Sequence, residues 1–319
     1  GGEKAFGGEL TKNKEIIRRL SEMGCNVTVL DSYKCSSNFP KLIMLVIRFF
    51  WNLLFNSSAC FIFSSSFNNV YPFIKIIHYY PVRIHLVYWV IGGNLADRIS
   101  KGVYAIKYLK DVDTFIVEGQ KMKDDMESLG FDNVIFVPNF KSIGERLNKI
   151  DKNTECVSFV FISRIMPEKG CRYILEAVNE LNKSVNSNLF QVDFYGQIEP
   201  TFAEEFHRAC KVLPNIKYCG VLDLQNEDNY TVLATYHYML FPTYWVGEGF
   251  PGVIIDSFKS GVPVIATDWN LNSEFIKNGF LGYLIQSHSI SDLINVMQKC
   301  IKEGYNNNYE CIVNNCLDE

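Results

Sequence analysis

Arg164, Lys169, Glu248 and Asp256 stand in two short segments whose residue types suit the handling of a charged sugar derivative. The first segment, FISRIMPEKGCRYILEAV at 161–178, delivers Arg164 and Lys169 directly behind an apolar, β-branched run. Two fixed cations there can neutralise a diphosphate, the arginine by a two-pronged grip and the lysine as a point charge. The second, FPTYWVGEGFPGVIIDSFKSGVPVIATD at 241–268, reads as strand, loop, helix, turn and strand. Pro251 suits the first helical position, Gly261 the position just past the helix, and Pro263 prevents continuation. The opening amides of such a helix lack acceptors and attract anions. Gly249 and Gly252 let a bulky ligand approach the backbone. Glu248 at the mouth and Asp256 about one turn inside would repel bare phosphate, yet carboxylates accept hydrogen bonds from sugar hydroxyls. Together these features point to a nucleotide-sugar.

The elements that must position these residues follow a βα rhythm. Residues 9–23 read as a helix, NVTVLD at 26–31 as a strand, 40–56 as a helix and ACFIF at 59–63 as a strand. Helix 67–79, strand RIHLVYWVI ending on Gly92-Gly93, helical segments to about 110, strand TFIV, helix 119–129 and strand NVIFVPN complete the first half. The chain then turns polar and charged, SIGERLNKIDKNTE, which places a linker at 142–155 between domains 1–141 and 156–319. The second half restarts with strand CVSFVFI and helix 169–183. It runs through LFQVDFYG, helix 201–212, NIKYCG, helix 227–235 and YHYMLF to the segment above, then LGYLI and helix 289–303. Apolar strands alternating with helices predict parallel sheets covered on both faces, an α/β protein of two Rossmann-like domains facing a cleft.

Composition narrows the function. An apolar content of 48% in 319 residues supports two packed cores, and a net charge of −4 argues against nucleic acid as a partner. Ten cysteines are scattered without zinc spacing, so reduced thiols in a cytoplasmic protein are the simple reading. The chain does not begin with Met and ends on CIVNNCLDE, which reads as the start of a helix, so the first strand and the C-terminal helices are expected to lie outside it. Residues 42–55, LIMLVIRFFWNLLF, are too short to span a bilayer and are interrupted by Arg48. A core helix is the preferred reading, and a surface-lying helix with peripheral membrane contact at the inner face stays open as the alternative. Asp111-Val112-Asp113 mimics a metal-binding DxD, but it precedes TFIV as a helix end running into a strand, and no metal is expected. His78, His85, His207, His237 and His288 have no ligand-spaced partners, and no GxGxxG, GxSxG or GxxxxGK[ST] occurs.

The EGFPGVIID and RIMPEKG segments resemble the signature segments of the family 4 retaining glycosyltransferases of GT-B fold, with Asp256 where that family has Glu. The resemblance implies that Arg164 and Lys169 hold the diphosphate, that Glu248 faces the donor sugar, and that Asp256 holds the ribose. It gives Gly249, Phe250, Gly252 and Val253 backbone contacts to sugar and phosphate, and Val221 a backbone contact to the nucleobase. Gly8, in the Gly7-Gly8 pair, and Gly93 resemble glycines that let ligand approach from the first domain. IGGN at 91–94 and PNF at 138–140 depart from the family pattern, so no acid or base is assigned in the first domain. DWNLNSEFI at 268–276 fits the bacterial surface-polysaccharide enzymes. The implied reaction is retaining, metal-independent transfer of a hexose from a UDP- or GDP-sugar to a glycan or lipid-linked acceptor, with no cofactor. A nucleotide-sugar epimerase of the same fold and a non-catalytic nucleotide-sugar-binding subunit are the alternatives.

Overall fold

A computed structural model describes residues 8–33, 35, 37–56, 59–141, 150 and 152–319. Gly7 and most of the polar 142–155 stretch lie outside the described residues. The chain divides into two compact units, Gly1–Ser142 and Ile143–Glu319.

Unit 1 contains α1 (Gly8–Glu22), α2 (Phe39–Phe55), β1 (Cys60–Phe63), α3 (Phe67–His78) and β2 (His85–Trp89). It continues through α4 (Leu95–Ser100), α5 (Ile106–Leu109), β3 (Thr114–Val117), α6 (Gln120–Ser128) and β4 (Val134–Phe136). Its sheet runs β1-β2-β3-β4, all parallel. Asn38 caps α2 by accepting the Lys41 amide at 3.1 Å, and Pro40 sits in the first turn, where its missing N–H costs nothing.

Two expectations fail in this unit. NVTVLD at 26–31 is not a strand: the segment is irregular and largely exposed. A strand needs a neighbour to take its backbone hydrogen bonds, and among the described residues none pairs with it. The preferred reading of 42–55 as a core helix also fails. Helix α2 buries Leu45, Phe49 and Leu53 and leaves its opposite face, Ile47 and Trp51 included, exposed. Both aspartates of the DxD mimic have partners within the unit. Asp113 accepts the Leu86 amide at 2.7 Å and pairs with Arg83, while Asp111 pairs with His78.

Unit 2 contains β5 (Val157–Ile162), α7 (Cys171–Leu181), β6 (Phe190–Tyr195), α8 (Ala203–Val212), β7 (Ile216–Tyr218) and α9 (Asn229–Ala234). Then come β8 (Tyr238–Phe241), α10 (Gly252–Lys259), β9 (Val264–Thr267), α11 (Asn272–Phe275), β10 (Gly282–Ile285), α12 (Ile290–Glu303) and α13 (Asn307–Asp318). The last segment is thus a 12-residue helix capped by Asn306, more than the helix start expected from CIVNNCLDE. The sheet order is β10-β9-β8-β5-β6-β7, all parallel, with β8 and β9 buried at every position. Counted within the unit this is the order 3-2-1-4-5-6 of dinucleotide-binding folds. The order of strand addition reverses between β5 and β8, which pair in parallel through Phe159↔Tyr238 and Val160↔Met239. Lys152 ties the entry of the unit to its last helix, donating to Tyr236 O at 2.6 Å and to the Tyr309 hydroxyl at 2.9 Å.

Candidate active site

Open parallel sheets bind ligands beyond the carboxyl ends of their strands, at the point where strand order reverses. In unit 2 that point is served by the loop after β5, which carries Arg164 and Lys169, and the loop after β8, which carries Glu248. The structure brings two of these together: Lys169 Nζ lies 2.5 Å from Glu248 Oε2, with both residues buried. Lys169 lies in a single 3₁₀ turn, Pro167–Lys169, and α7 begins only at Cys171, two residues later than the pattern predicts.

The turn is possible because Gly170 adopts φ 82°, and a Cβ there would lie 2.1 Å from the carbonyl oxygen of Pro242. The close approach of the KG turn to the end of β8 is what sets Lys169 against Glu248. At Gly196, after β6, a Cβ would meet Ser163 O at 1.7 Å, so the loop carrying Arg164 can lie against the next loop only because this residue is glycine.

Several residues with no individual role in the sequence reading hold Glu248. Thr243 donates its hydroxyl to Glu248 Oε2 at 3.0 Å, and Thr267 donates to the Thr243 carbonyl. Trp269 Nε1 donates to Trp245 O at 2.9 Å, and Asn270 Nδ2 donates to Glu248 O at 2.9 Å. Asn270 does this from a left-handed backbone, φ 50°, which Asn tolerates better than most residues. The turn after β9 therefore clamps the loop after β8. The DWN spelling was noted for its resemblance, but nothing local to it showed which loop it would grip. Arg164 is exposed, and its guanidinium lies 5.5 Å from the Trp245 ring; among the described residues no carboxylate pairs with it.

Pro251 is the residue before α10, with an extended ψ of 119°, rather than its first helical residue. Gly252 and Val253 open the helix, half-buried, and their N–H groups are among those no intrahelical carbonyl can satisfy. Gly249 is half-buried beside them. The Phe250 ring is stacked on Phe275 at 3.6 Å, which ties the loop to α11. Asp256 is buried on α10, and its Oδ1 accepts the Tyr230 hydroxyl at 2.6 Å. Burial raises the Tyr230 pKa, and the neighbouring Asp256 carboxylate adds to this, so the phenol stays a donor. Lys259 Nζ sits 3.9 Å from the centre of the Tyr230 ring. Sequence reading missed Tyr230, which is 26 positions away on another helix. Val221 is 48% exposed, three residues past the end of β7, on the same carboxyl edge as Arg164 and Glu248.

Gly8 and Gly93 belong to unit 1. Gly8 opens α1, and Gly93 lines a small crevice with Val90, Val117 and Met122. The carboxyl edge of this sheet carries a second buried pair that the sequence did not reveal, Lys12 Nζ to Glu118 Oε1 at 2.6 Å. Lys12 lies over the Trp89 ring at 5.3 Å, and the Trp89 Nε1 is buried without a partner among the described residues. Burial pulls the Lys12 amine below its ordinary value, against the opposing pull of Glu118.

The family described as Glycosyl transferases group 1 matches residues 157–303. The capsular polysaccharide biosynthesis glycosyltransferase CapH of Staphylococcus aureus is 29% identical over 147 residues, 44% of this chain and 39% of the relative. An Escherichia coli UDP-Gal:alpha-D-GlcNAc-diphosphoundecaprenol alpha-1,3-galactosyltransferase is 25% identical over 182 residues, 55% of this chain and 44% of the relative. The chain thus spans about two-fifths of the length of these curated relatives. Among solved structures, Anabaena HepE in complex with UDP and glucose superposes with a TM-score of 0.67 at 15% identity, covering 99% of this chain and 91% of that one. The pneumococcal O-GlcNAc transferase GtfA in complex with UDP and GlcNAc superposes with a TM-score of 0.64 at 19% identity, covering 86% and 55%. The signature residues, the strand order and these likenesses agree: residues 157–303 match the family of Glycosyl transferases group 1, and the chain has the GT-B fold of these neighbours.

Proposed function

We propose that this chain is a retaining glycosyltransferase that moves a hexose from a UDP-sugar to a glycan or lipid-linked glycan acceptor in surface polysaccharide synthesis. The observation that carries this reading is the buried Lys169–Glu248 pair at the reversal point of the unit 2 sheet, with Arg164 in the loop that carries Lys169. The diphosphate of the donor takes up the charge of Lys169 and Arg164, and Glu248 is then free to accept a hydroxyl of the transferred sugar. Asp256, backed by Tyr230, faces the ribose. Backbone amides at Gly249, Phe250, Gly252 and Val253 contact sugar and phosphate, and the backbone at Val221 meets the base. UDP is favoured over GDP because HepE and GtfA form complexes with UDP and the E. coli relative is a UDP-Gal transferase.

Retention follows if the acceptor oxygen attacks the anomeric carbon on the face the diphosphate leaves. The C–O bond to phosphate breaks as the new glycosidic bond forms, and the departing phosphate oxygen takes the acceptor's proton. Arg164 and Lys169 stabilise the charge that develops on that phosphate, so turnover should persist in EDTA. Unit 1 supplies the acceptor side, where Gly8 and Gly93 give ligand close approach. The proposal also places the protein in the cytoplasm.

A thermal-shift series with UDP, GDP, ADP and their sugars tests the donor. The preferred nucleotide at 100 times its Kd stabilises by about 2.7 kcal/mol. UDP should win, and a flat response from all three would defeat the proposal. Glu248→Gln should lower turnover about 10²–10³-fold while UDP binding persists. A protein that binds UDP but shows no hexose transfer to any glycan or lipid-linked acceptor would instead be a non-catalytic subunit.

A further inference from the structure

Helix α2 is apolar on every side except one narrow flank. Leu45, Phe49 and Leu53 face the unit, while Ile43, Met44, Ile47, Trp51, Leu54 and Phe55 point away from it, each between 44% and 66% exposed. A helix that is hydrophobic all round is normally covered on all sides, and an exposed patch of this kind marks an interaction surface. The chain's charge indicates what the cover is. From Ser32 to Ala96 there is no Asp or Glu, and the stretch carries Lys34, Lys41, Arg48, Lys75 and Arg83, in a chain whose net charge is −4. Lys41, Arg48 and Asn52, spaced seven and four residues apart, share one flank of α2, and Lys41 and Arg48 are both exposed.

We infer that the outward face of α2 lies in the interface of an anionic lipid bilayer. The apolar side chains enter the acyl boundary, Trp51 and Phe55 sit at headgroup level, and Lys41 and Arg48 reach the lipid phosphates along one flank. A protein partner of matching apolar shape would give no reason for the acid-free sequence around the helix, whereas an anionic headgroup layer repels carboxylates and attracts each lysine and arginine. No described helix is long and apolar enough to cross a membrane, so the helix lies along the surface. This goes beyond the transferase reading and does not depend on it.

Co-sedimentation of the full chain with vesicles tests it without reading turnover. The chain should bind phosphatidylglycerol-containing vesicles at least about tenfold more tightly than phosphatidylcholine vesicles, and the difference should shrink with salt. Ile47→Glu and Leu54→Glu together should reduce binding about tenfold or more. Both side chains point outward, so the circular dichroism spectrum should be unchanged. Arg48→Glu should remove most of the preference for anionic lipid. Absence of vesicle binding at low salt, or binding that survives Ile47→Glu/Leu54→Glu, would overturn the inference. A dimer in ultracentrifugation that these substitutions dissociate, without vesicle binding, would assign the face to a second copy and overturn it equally.

Discussion

Each unit buries one lysine–glutamate pair at the carboxyl edge of its parallel sheet, and the two pairs are not equivalent. Lys12–Glu118 joins a helix to a strand end at 2.6 Å, with side chains 3% and 6% exposed. Lys169–Glu248 joins two loops at 2.5 Å, with side chains 9% and 10% exposed. Glu248 is further held by Thr243 at its carboxylate and by Asn270 at its backbone, and an exposed Arg164 stands in the loop that also carries Lys169. A buried ion pair is by itself weak evidence of stability, since desolvation offsets most of the attraction. The comparison therefore separates two uses of the same pair. In unit 1 the pair spans two packed elements and acts chiefly as an anchor. In unit 2 it sits at the reversal point between loops, where a diphosphate can take over the lysine.

Double substitution is the sharpest way to break this distinction. Removing one lysine, Lys12→Met or Lys169→Met, takes the cation away from a buried carboxylate and should cost about 3–5 kcal/mol in urea unfolding. Lys12→Met with Glu118→Leu should recover most of that loss and retain hexose transfer. Lys169→Met with Glu248→Leu should recover stability and remain inactive. Equal activity in the two double variants would erase the difference between the units.

Protonation sharpens the comparison through two separate pH windows. Buried His237 of unit 2 has its pKa lowered to about 4, chiefly by desolvation, and its Nδ1 accepts the Ser158 amide at 3.1 Å. The unfolded chain therefore binds more protons between pH 4 and 6.5. The contribution of His237 is present above pH 6.5 and is lost as the pH falls to 4, a change of about 3 kcal/mol. His237→Asn should flatten that slope. Lys12 of unit 1 is also lowered, so the unfolded chain holds more protons in the window just below 10.5, and stability there rises with pH. The difference between wild type and Lys12→Met should carry this alkaline slope.

The smallest expected effect tests what holds the unit 2 pair together. Gly170→Ala combines a left-handed backbone with a Cβ 2.1 Å from Pro242 O and should destabilise by about 1–3 kcal/mol. Because the substitution displaces Lys169, UDP affinity should fall with stability. An unfolding midpoint equal to wild type would show that the close approach of the KG turn to β8 is dispensable.

Much of unit 2 was legible in the sequence because its signals are local. The apolar run of β5, the KG turn, the glycine and proline around α10 and the buried strand VIAT each declare themselves within a few residues. Glu248 was readable as a site residue from its place before α10, but its contact with Lys169, 79 positions away, was not. Tyr230 behind Asp256 and the grip of Asn270 on the Glu248 loop were hidden for the same reason. In unit 1, Lys12 and Glu118 lie 106 positions apart with no motif around either. NVTVLD misled because its composition is that of a strand.

The sequence by itself determined where the chain turns, which runs are apolar enough to be strands, and which cations and carboxylates stand beside a helix start. These depend on φ preferences, capping and side-chain chemistry, all properties of neighbouring residues. Tertiary structure alone decided that β8 lies beside β5, which brings Lys169 to Glu248, and that NVTVLD has no partner among the described strands. It also decided that α2 is covered on one side only. Strand pairing and burial are relations between distant segments, and no local pattern specifies them.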